Sequence, residues 1–290
     1  MNTKQKTKNI KKIKRFFRVL FARKAIIVCT GILIIMAFSA VFAPLVAPFD
    51  PYRQDLSNSL QPMSVRHIFG TDALGRDVFS RIVFGTRVSF SVGIVAVAIA
   101  GTLGMVFGLI AGVVGGVADS VIMRIMDAMM SVPLIILAVF LGSILGKGLG
   151  NVMLAVGISM MPNYARLTRG QVLTIRESDY VVAGTICGAS TFRNAIKHII
   201  PNCVSPIIVL MTMNLGNAIL AEANLSFLGL GINPPMASWG GMVADGNTFL
   251  SMRPVICIAP GVFVLLIVLC FNMVGDAVRD ALDPRLRGTL

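Results

Sequence analysis

Long apolar runs separated by short polar stretches dominate the pattern of this chain. Crossing a hydrocarbon core about 30 Å thick takes about 20 mostly apolar residues, and six runs meet that requirement to within a few residues. They cover residues 25–47, 88–114, 121–144, 150–168, 203–225 and 255–276. The pattern predicts an all-α integral membrane protein with six transmembrane helices.

Composition agrees with this class. Hydrophobic residues make up 56% of the chain, charged residues 13%, and the mean hydropathy is +0.82, which excludes an ordinary soluble domain. The net charge of +13 is concentrated at the start, since ten of the 26 Lys and Arg residues lie within residues 1–24. A basic block directly before an apolar run is typical of a cytoplasmic flank. It predicts that both termini and the loop 169–202 are cytoplasmic, and it disfavours nucleic acid as a partner.

These assignments divide the chain into five parts. They are a basic cytoplasmic segment (1–24), the first transmembrane helix (25–47), an external segment (48–85), a main transmembrane domain (86–276) and a cytoplasmic tail (277–290).

The sequence contains no recognisable catalytic machinery. The nearest approach to a phosphate-binding loop ends in Gly146-Lys147-Gly148, but Leu141 occupies the position of the first glycine and Gly148 the position of the magnesium-binding Ser or Thr. The five cysteines and two histidines show no metal-ligand spacing. We therefore expect no ATPase site, no catalytic residues and no metal site in this chain.

Within the predicted spans, four glycines recur every fourth residue and so lie on one helix face. They are Gly104, Gly108, Gly112 and Gly116. Positions without side chains allow another helix to approach closely, so we interpret this face as internal packing rather than a hinge.

Charged residues inside spans usually face protein or water. Arg124 and Asp127 are three residues apart, which favours an ion pair on one helix face. Asp127 and Glu222 are also the two candidate pathway or gate residues. For Glu222, a buried hydrogen bond to the backbone is the alternative.

A polar segment, residues 179–202, interrupts the apolar pattern. By periodicity alone its apolar residues indicate an ordinary amphipathic linker. They are Val181, Val182, Ile186, Cys187 and Phe192. The small residues have a different spacing, and a Pro201-Asn202 stop lies thirteen residues beyond Gly188.

That spacing resembles the coupling loop of ABC importer permeases, written as Glu-Ala-Ala, three residues, Gly, nine residues and an Ile-x-Leu-Pro-like end. The matching or adjoining positions are Val182, Ala183, Gly184, Gly188, Ala189, Ser190, His198, Ile200 and Pro201. In that family the loop is a helical hairpin that docks on a separate ATPase. Val182 replaces the usual Glu, which removes one charge contact with that partner.

Further motifs resemble the shorter, C-type permease of dipeptide, oligopeptide and nickel importers. They include His67–Asp77 (HIFGTDALGRD), Pro162–Gln171 (PNYARLTRGQ), Glu222–Gly231 (EANLSFLGLG) and Gly275–Gly288 (GDAVRDALDPRLRG). Together they run from about residue 47 to residue 288, in order and without a large insertion.

The resemblance implies a type I ABC importer permease that imports di- or oligopeptides by alternating access. Its partners would be a second permease, two ATPase subunits that bind ATP and magnesium, and an external solute-binding protein. Uptake of nickel or a metal chelate is the alternative within this architecture. An ATP-independent secondary carrier is the alternative outside it, although the sequence lacks an internal repeat.

Overall fold

The structure is a computed structural model that describes residues 20–21 and 23–282. Most of the basic segment 1–24 and the last eight residues of the tail 277–290 lie outside the described residues.

Apart from longer connections at 47–77 and 228–238, the described residues form α-helices joined mostly by short turns. In chain order these are α1 (Lys24–Val41), α2 (Ala43–Val46), α3 (Val78–Val114), α4 (Gly116–Met130), α5 (Leu134–Leu145), α6 (Leu149–Arg176), α7 (Asp179–Ile186), α8 (Thr191–Asn194), α9 (Ile200–Phe227), α10 (Trp239–Asn247) and α11 (Pro254–Leu282). A 3-10 turn covers Leu56–Asn58 and a π-helical turn covers Ala195–Ile199.

Length and apolar content support four or five of the six predicted spans. Among the described residues, α1, α3, the run Thr191–Phe227 and α11 are long and apolar enough to cross a membrane. The third predicted span is not one straight helix, because α4 and α5 meet at an angle of 98° around Ser131–Pro133. The fourth lies in α6, which falls outside this group; its Asn163, Arg166 and Arg169 lower its hydropathy.

Two helices extend beyond the spans predicted for them. Helix α3 begins at Val78, ten residues before the predicted start of the second span at residue 88, so the non-helical part of the segment placed at 48–85 ends at Asp77. The reason is an N-cap: Asp77 accepts a hydrogen bond from the Ser80 backbone N–H at 2.7 Å. At the other end, α11 continues to Leu282, six residues beyond the predicted sixth span.

The parallel pair α3 and α6 forms the centre of the bundle and explains three of the four spaced glycines. A Cβ atom on Gly104 would lie 2.5 Å from the Cβ of Tyr164, and one on Gly108 would lie 2.5 Å from the Ala165 carbonyl oxygen. A Cβ on Gly112 would lie 2.7 Å from the Cβ of Val172. The two helices therefore approach until α3 backbone contacts α6, as small-residue faces permit. We refer to this contact as the glycine seam.

Gly116 does not belong to the glycine seam, and its prediction was wrong. Helix α3 ends at Val114, and Gly115 and Gly116 have φ of +71° and +56° in the turn to α4. A Cβ on Gly116 would meet nothing within 4 Å. Residues spaced by four lie on one helix face only if the helix continues through all of them.

The two ends of the bundle differ. Residues 177–199 form one end, between α6 and α9. The opposite end carries the segment 48–77, the α5–α6 turn and residues 228–253. There Trp239, the first residue of α10, is fully buried and donates its indole N–H to the Ile82 carbonyl at 2.9 Å. That contact fixes α10 against the start of α3.

Candidate functional site

The polar segment 179–202 forms a helical hairpin at one end of the bundle. Its first arm is α7, and its second arm is α8 with the π-helical turn that leads into α9. Only Glu177 and Ser178 separate α6 from α7. The hairpin is therefore attached directly to two long helices, α6 and α9.

The turn of the hairpin depends on Gly188. Its φ of +87° lies in the left-handed region, which side chains disfavour. The Gly188 N–H donates to the Thr185 carbonyl at 3.0 Å, and the Ala189 N–H donates to the Gly184 carbonyl at 2.9 Å. This pair of bonds is a Schellman motif, so Gly188 ends α7 as a C′ residue.

The second arm starts immediately after this turn. Ser190 is the N-cap of α8, and its hydroxyl accepts a hydrogen bond from the Arg193 N–H at 3.3 Å. Asn194 at the end of α8 is buried, and its Nδ2 donates to the Thr185 hydroxyl at 3.0 Å. A Cβ on Gly184 would lie 3.1 Å from the Asn194 Oδ1. Gly184 thus provides the space in which Asn194 joins the two arms.

Tyr180 joins the first arm to the base of the second. Its ring lies edge-on to His198, with ring centroids 5.7 Å apart, and Asn202 Nδ2 donates to its hydroxyl at 3.4 Å. Pro201 was predicted to stop the segment, which is wrong. It occupies the first turn of α9, where a proline without an N–H is tolerated.

The outer surface of the hairpin is apolar. Ile186 and Phe192 are 81% and 75% exposed, and Tyr180, Val182 and Ile196 are also exposed. Of the apolar residues that suggested an amphipathic linker, only Val181 is buried. An amphipathic linker would bury this face. Five exposed apolar side chains on one short hairpin instead define a surface suited to contact another molecule.

The other predicted coupling residues divide into two groups. Ala183, Gly188, Ser190 and Pro201 are exposed, whereas Gly184, Ala189, His198 and Ile200 are partly covered. Sequence reasoning missed Thr185 and Asn194, because a contact between side chains nine residues apart depends on the geometry of the turn between them. It also missed Ile196.

The predicted pathway residues, Asp127 and Glu222, lie on different helices, α4 and α9. The predicted ion pair between Asp127 and Arg124 was wrong. The Asp127 Oδ1 instead lies 3.9 Å from Nη1 of Arg166 on α6, and both of these side chains are more than half exposed. Closer to the α3–α4 turn, Asp119 accepts two bonds from Arg169, at 2.5 and 2.6 Å. These ion pairs join α4 to α6.

Glu222 is completely enclosed on α9. Its Oε1 accepts a hydrogen bond from the Ser226 hydroxyl at 2.7 Å, whereas its Oε2 has no hydrogen-bond partner among the described residues. The partner of Oε1 is a side chain, not the backbone contact considered above. In this conformation Glu222 faces the protein interior, and its pathway role stays a prediction.

These features define an all-helical membrane protein with an exposed apolar hairpin between two of its long helices. Two family descriptions match the sequence. Residues 104–288 match the "binding-protein-dependent transport system inner membrane component", and residues 12–62 match the "N-terminal TM domain of oligopeptide transport permease C". The chain belongs to the first of these families, whose members are ABC permease subunits.

Curated relatives cover most of the chain. A probable D,D-dipeptide transport system permease protein, DdpC of Escherichia coli K12, is 44% identical over 89% of this chain and 86% of its own length. The dipeptide transport system permease protein DppC of Alkalihalophilus pseudofirmus is 43% identical over 93% and 89%. A glutathione transport system permease protein, GsiD of Escherichia coli O1:K1, is 38% identical over 88% and 84%.

Solved structures confirm the fold. An inward-facing form of the MetNI methionine ABC transporter aligns with a TM-score of 0.56 at 18% identity, covering 70% of this chain and 97% of that chain. An amino acid ABC transporter solved with histidines gives a TM-score of 0.54 at 14% identity, covering 68% and 92%. The type I ABC importer permease fold expected from the sequence is therefore confirmed.

Proposed function

We propose that this chain is the C-type permease subunit of an ATP-driven importer that moves di- or oligopeptides across the cytoplasmic membrane. The observation that carries the proposal is the exposed apolar surface of the hairpin, held in one shape by Gly188 and Asn194. In this proposal the hairpin docks on an ATPase subunit, and both chain termini are cytoplasmic.

Alternating access follows from how the hairpin is attached. A docked ATPase that closes on ATP displaces the hairpin, and with it the adjoining ends of α6 and α9. A two-state equilibrium moves from 1:99 to 99:1 with about 5.5 kcal/mol of differential binding. ATP binding supplies this difference, and hydrolysis with product release resets the permease.

In this proposal the ATPase subunits, not this chain, bind ATP and magnesium. This chain has no complete phosphate-binding loop and is not an enzyme in the proposal. The partners are a second permease, two ATPase subunits and an external solute-binding protein. Asp127 and Glu222 are the proposed pathway or gate residues.

Peptides are the proposed cargo because the relatives named above are dipeptide and glutathione permeases. Nickel or a metal chelate is the second candidate, since the sequence motifs also resemble nickel permeases. An ATP-independent secondary carrier is disfavoured, because an exposed apolar hairpin has no role in a carrier that works alone.

Purification from native membranes in mild detergent, followed by mass spectrometry of the associated chains, tests the proposal. The variants Ile186→Ser and Phe192→Ser remove apolar contact area, so each should weaken ATPase association by at least about tenfold. Val65→Ser is the matched control, because Val65 is equally apolar and fully exposed at the opposite end of the bundle.

Recovery of a second permease and ATPase subunits with the wild-type chain, and loss of the ATPase subunits from the hairpin variants alone, supports the proposal. If the chain purifies alone and moves solute in liposomes without ATP, the coupling role is wrong and the carrier alternative replaces it.

A further inference from the structure

A charged cavity lies at the end of the bundle opposite the hairpin. Its volume is about 420 Å³, and it opens to the surface. The segment 48–77, α3, the α5–α6 turn, the end of α9 and α10 all contribute to its lining. Five separate parts of the chain therefore converge on it, which distinguishes it from a shallow groove within one loop.

Three cationic side chains line this cavity: Arg76, Arg81 and Lys147. Arg76 and Arg81 are only 7% and 4% exposed, whereas Lys147 is exposed at the rim. Burying a guanidinium is costly unless it is paired, so two buried arginines beside a cavity need an explanation.

Asp72 provides part of that explanation, but it does not satisfy all the hydrogen-bond donors of the two arginines. Its Oδ2 accepts from Arg76 Nε at 2.6 Å and lies 3.6 Å from Arg81 Nε. Its Oδ1 accepts the backbone N–H groups of Leu74 and Arg76. One carboxylate thus serves two guanidinium groups and two amides.

The terminal nitrogens of Arg76 remain available. Among the described residues, Arg76 donates only its Nε and its backbone N–H, both to Asp72. Arg81 also donates Nη1 to the Pro51 carbonyl at 3.2 Å. The unpaired edge of a nine-tenths-buried guanidinium therefore faces the cavity, where it can donate two parallel hydrogen bonds.

The charges around the cavity leave an excess of positive charge. Arg76, Arg81 and Lys147 carry three positive charges, and Asp72 with Asp245 carry two negative charges, which leaves one. Glu222 does not line the cavity; it is enclosed behind Ser226, whose side chain donates to it.

We propose that this cavity binds the carboxylate of the peptide cargo on its way into the pathway. The class of cargo rests on the proposed function above. A guanidinium edge matches the geometry of a carboxylate, and a concave volume of this size lies within the range of about 300–1,000 Å³ that small-molecule sites have. An acidic side chain of the solute-binding protein is the other source of the same chemistry, but protein partners favour broad surfaces over a cavity lined by buried cations.

Calorimetry on the permease–ATPase complex in lipid nanodiscs, without the solute-binding protein, tests this proposal. The probes are dialanine and its C-terminal amide, which differ only in the carboxylate. The wild-type complex should bind dialanine at least about fivefold more tightly than the amide, because a charge-assisted bond is lost with the amide.

Lys147→Gln is the main variant, because Lys147 is exposed and lies outside the Asp72 cluster. It should weaken dialanine about threefold and leave the amide unchanged. Arg53→Gln is the control: Arg53 is an exposed arginine of the segment 48–77 at the same end of the bundle and does not line the cavity, so neither probe should respond. Arg76→Lys keeps the charge but loses the guanidinium edge and should weaken dialanine more than Lys147→Gln does.

Equal affinities for dialanine and its amide in the wild-type complex overturn the proposal. A second titration adds the solute-binding protein: if Lys147→Gln leaves dialanine affinity unchanged and weakens only the binding of that protein, the cavity belongs to that partner and the proposal is overturned. ATP-driven uptake by the same preparation separates this inference from the proposed function. Uptake without discrimination between the probes overturns the cavity site alone, and discrimination without uptake supports the cavity site while contradicting the proposed function.

Discussion

Asn194 donates a hydrogen bond to the hydroxyl of Thr185 at 3.0 Å and thereby joins the two arms of the hairpin. Asn194 is buried while its neighbours on the same arm, Phe192 and Arg193, are exposed. The exposed apolar surface is consequently presented on a closed and defined frame, although the hairpin contributes little to the main core.

Replacing Asn194 with Ala should open the hairpin. The change removes one side-chain hydrogen bond, worth about 1 kcal/mol, and leaves Gly184 facing an empty space. ATP-driven uptake should fall several-fold while the amount of protein in the membrane is unchanged. Asn247→Ala is the control, because Asn247 is an exposed residue at the end of α10, and it should leave uptake intact. Equal uptake by both variants would show that the frame does not depend on this bond.

Replacing Gly188 with Leu should abolish uptake without preventing membrane insertion. No atom would contact a Cβ there, so the effect comes from the left-handed backbone, which costs an L-residue about 1–2 kcal/mol. Asn tolerates this region better, so Gly188→Asn should retain more activity. Gly170→Ala is the matched control, since Gly170 is also open but helical. Full activity of the Leu variant would remove the turn from the mechanism.

Replacing Gly108 with Ala should destabilise the bundle by about 1–3 kcal/mol, because the added methyl group overpacks the glycine seam. The added atom would lie 2.5 Å from the Ala165 carbonyl oxygen. Thermal unfolding of the purified protein in detergent measures the effect. Gly31→Ala in α1 should be neutral or slightly stabilising, since a Cβ there meets nothing within 4 Å. Identical melting temperatures would contradict the close approach of α3 and α6.

Replacing Glu222 with Gln should stabilise the protein. The amide keeps an acceptor for Ser226 and replaces a buried negative charge by a neutral group, whose burial costs less. A lower melting temperature would show that the charged form has a partner in the assembled protein. Uptake measured in parallel tests the pathway role, since that role requires a loss of uptake without a loss of stability.

The sequence predicted well those features that depend on local spacing. Apolar run length located α9 to within three residues and the starts of α1 and α11 to within one, and the four-residue spacing identified Gly104, Gly108 and Gly112 as a packing face. Spacing failed at Gly116 because it ignores where the helix ends, and α3 ends two residues before it, at Val114, where two glycines with positive φ follow.

Features that depend on contacts between distant residues could not be predicted in this way. Asp127 lies near Arg166 on another helix rather than near Arg124 on its own, because the 98° bend between α4 and α5 fixes how α4 meets α6. The position of Trp239 against Ile82, 157 residues away, is likewise a property of the assembled bundle.

The glycine seam has a mechanical consequence. Along it no flexible side chains separate α3 from α6, so a shift of α6 cannot be absorbed by changes of rotamer and must displace α3. Helix α3 has 37 residues and is about 55 Å long at 1.5 Å per residue, and its first turn contains Arg81, which lines the charged cavity. In the proposed mechanism, a displacement of the hairpin therefore moves α3 together with α6, and α3 connects that movement to the cavity at the far end.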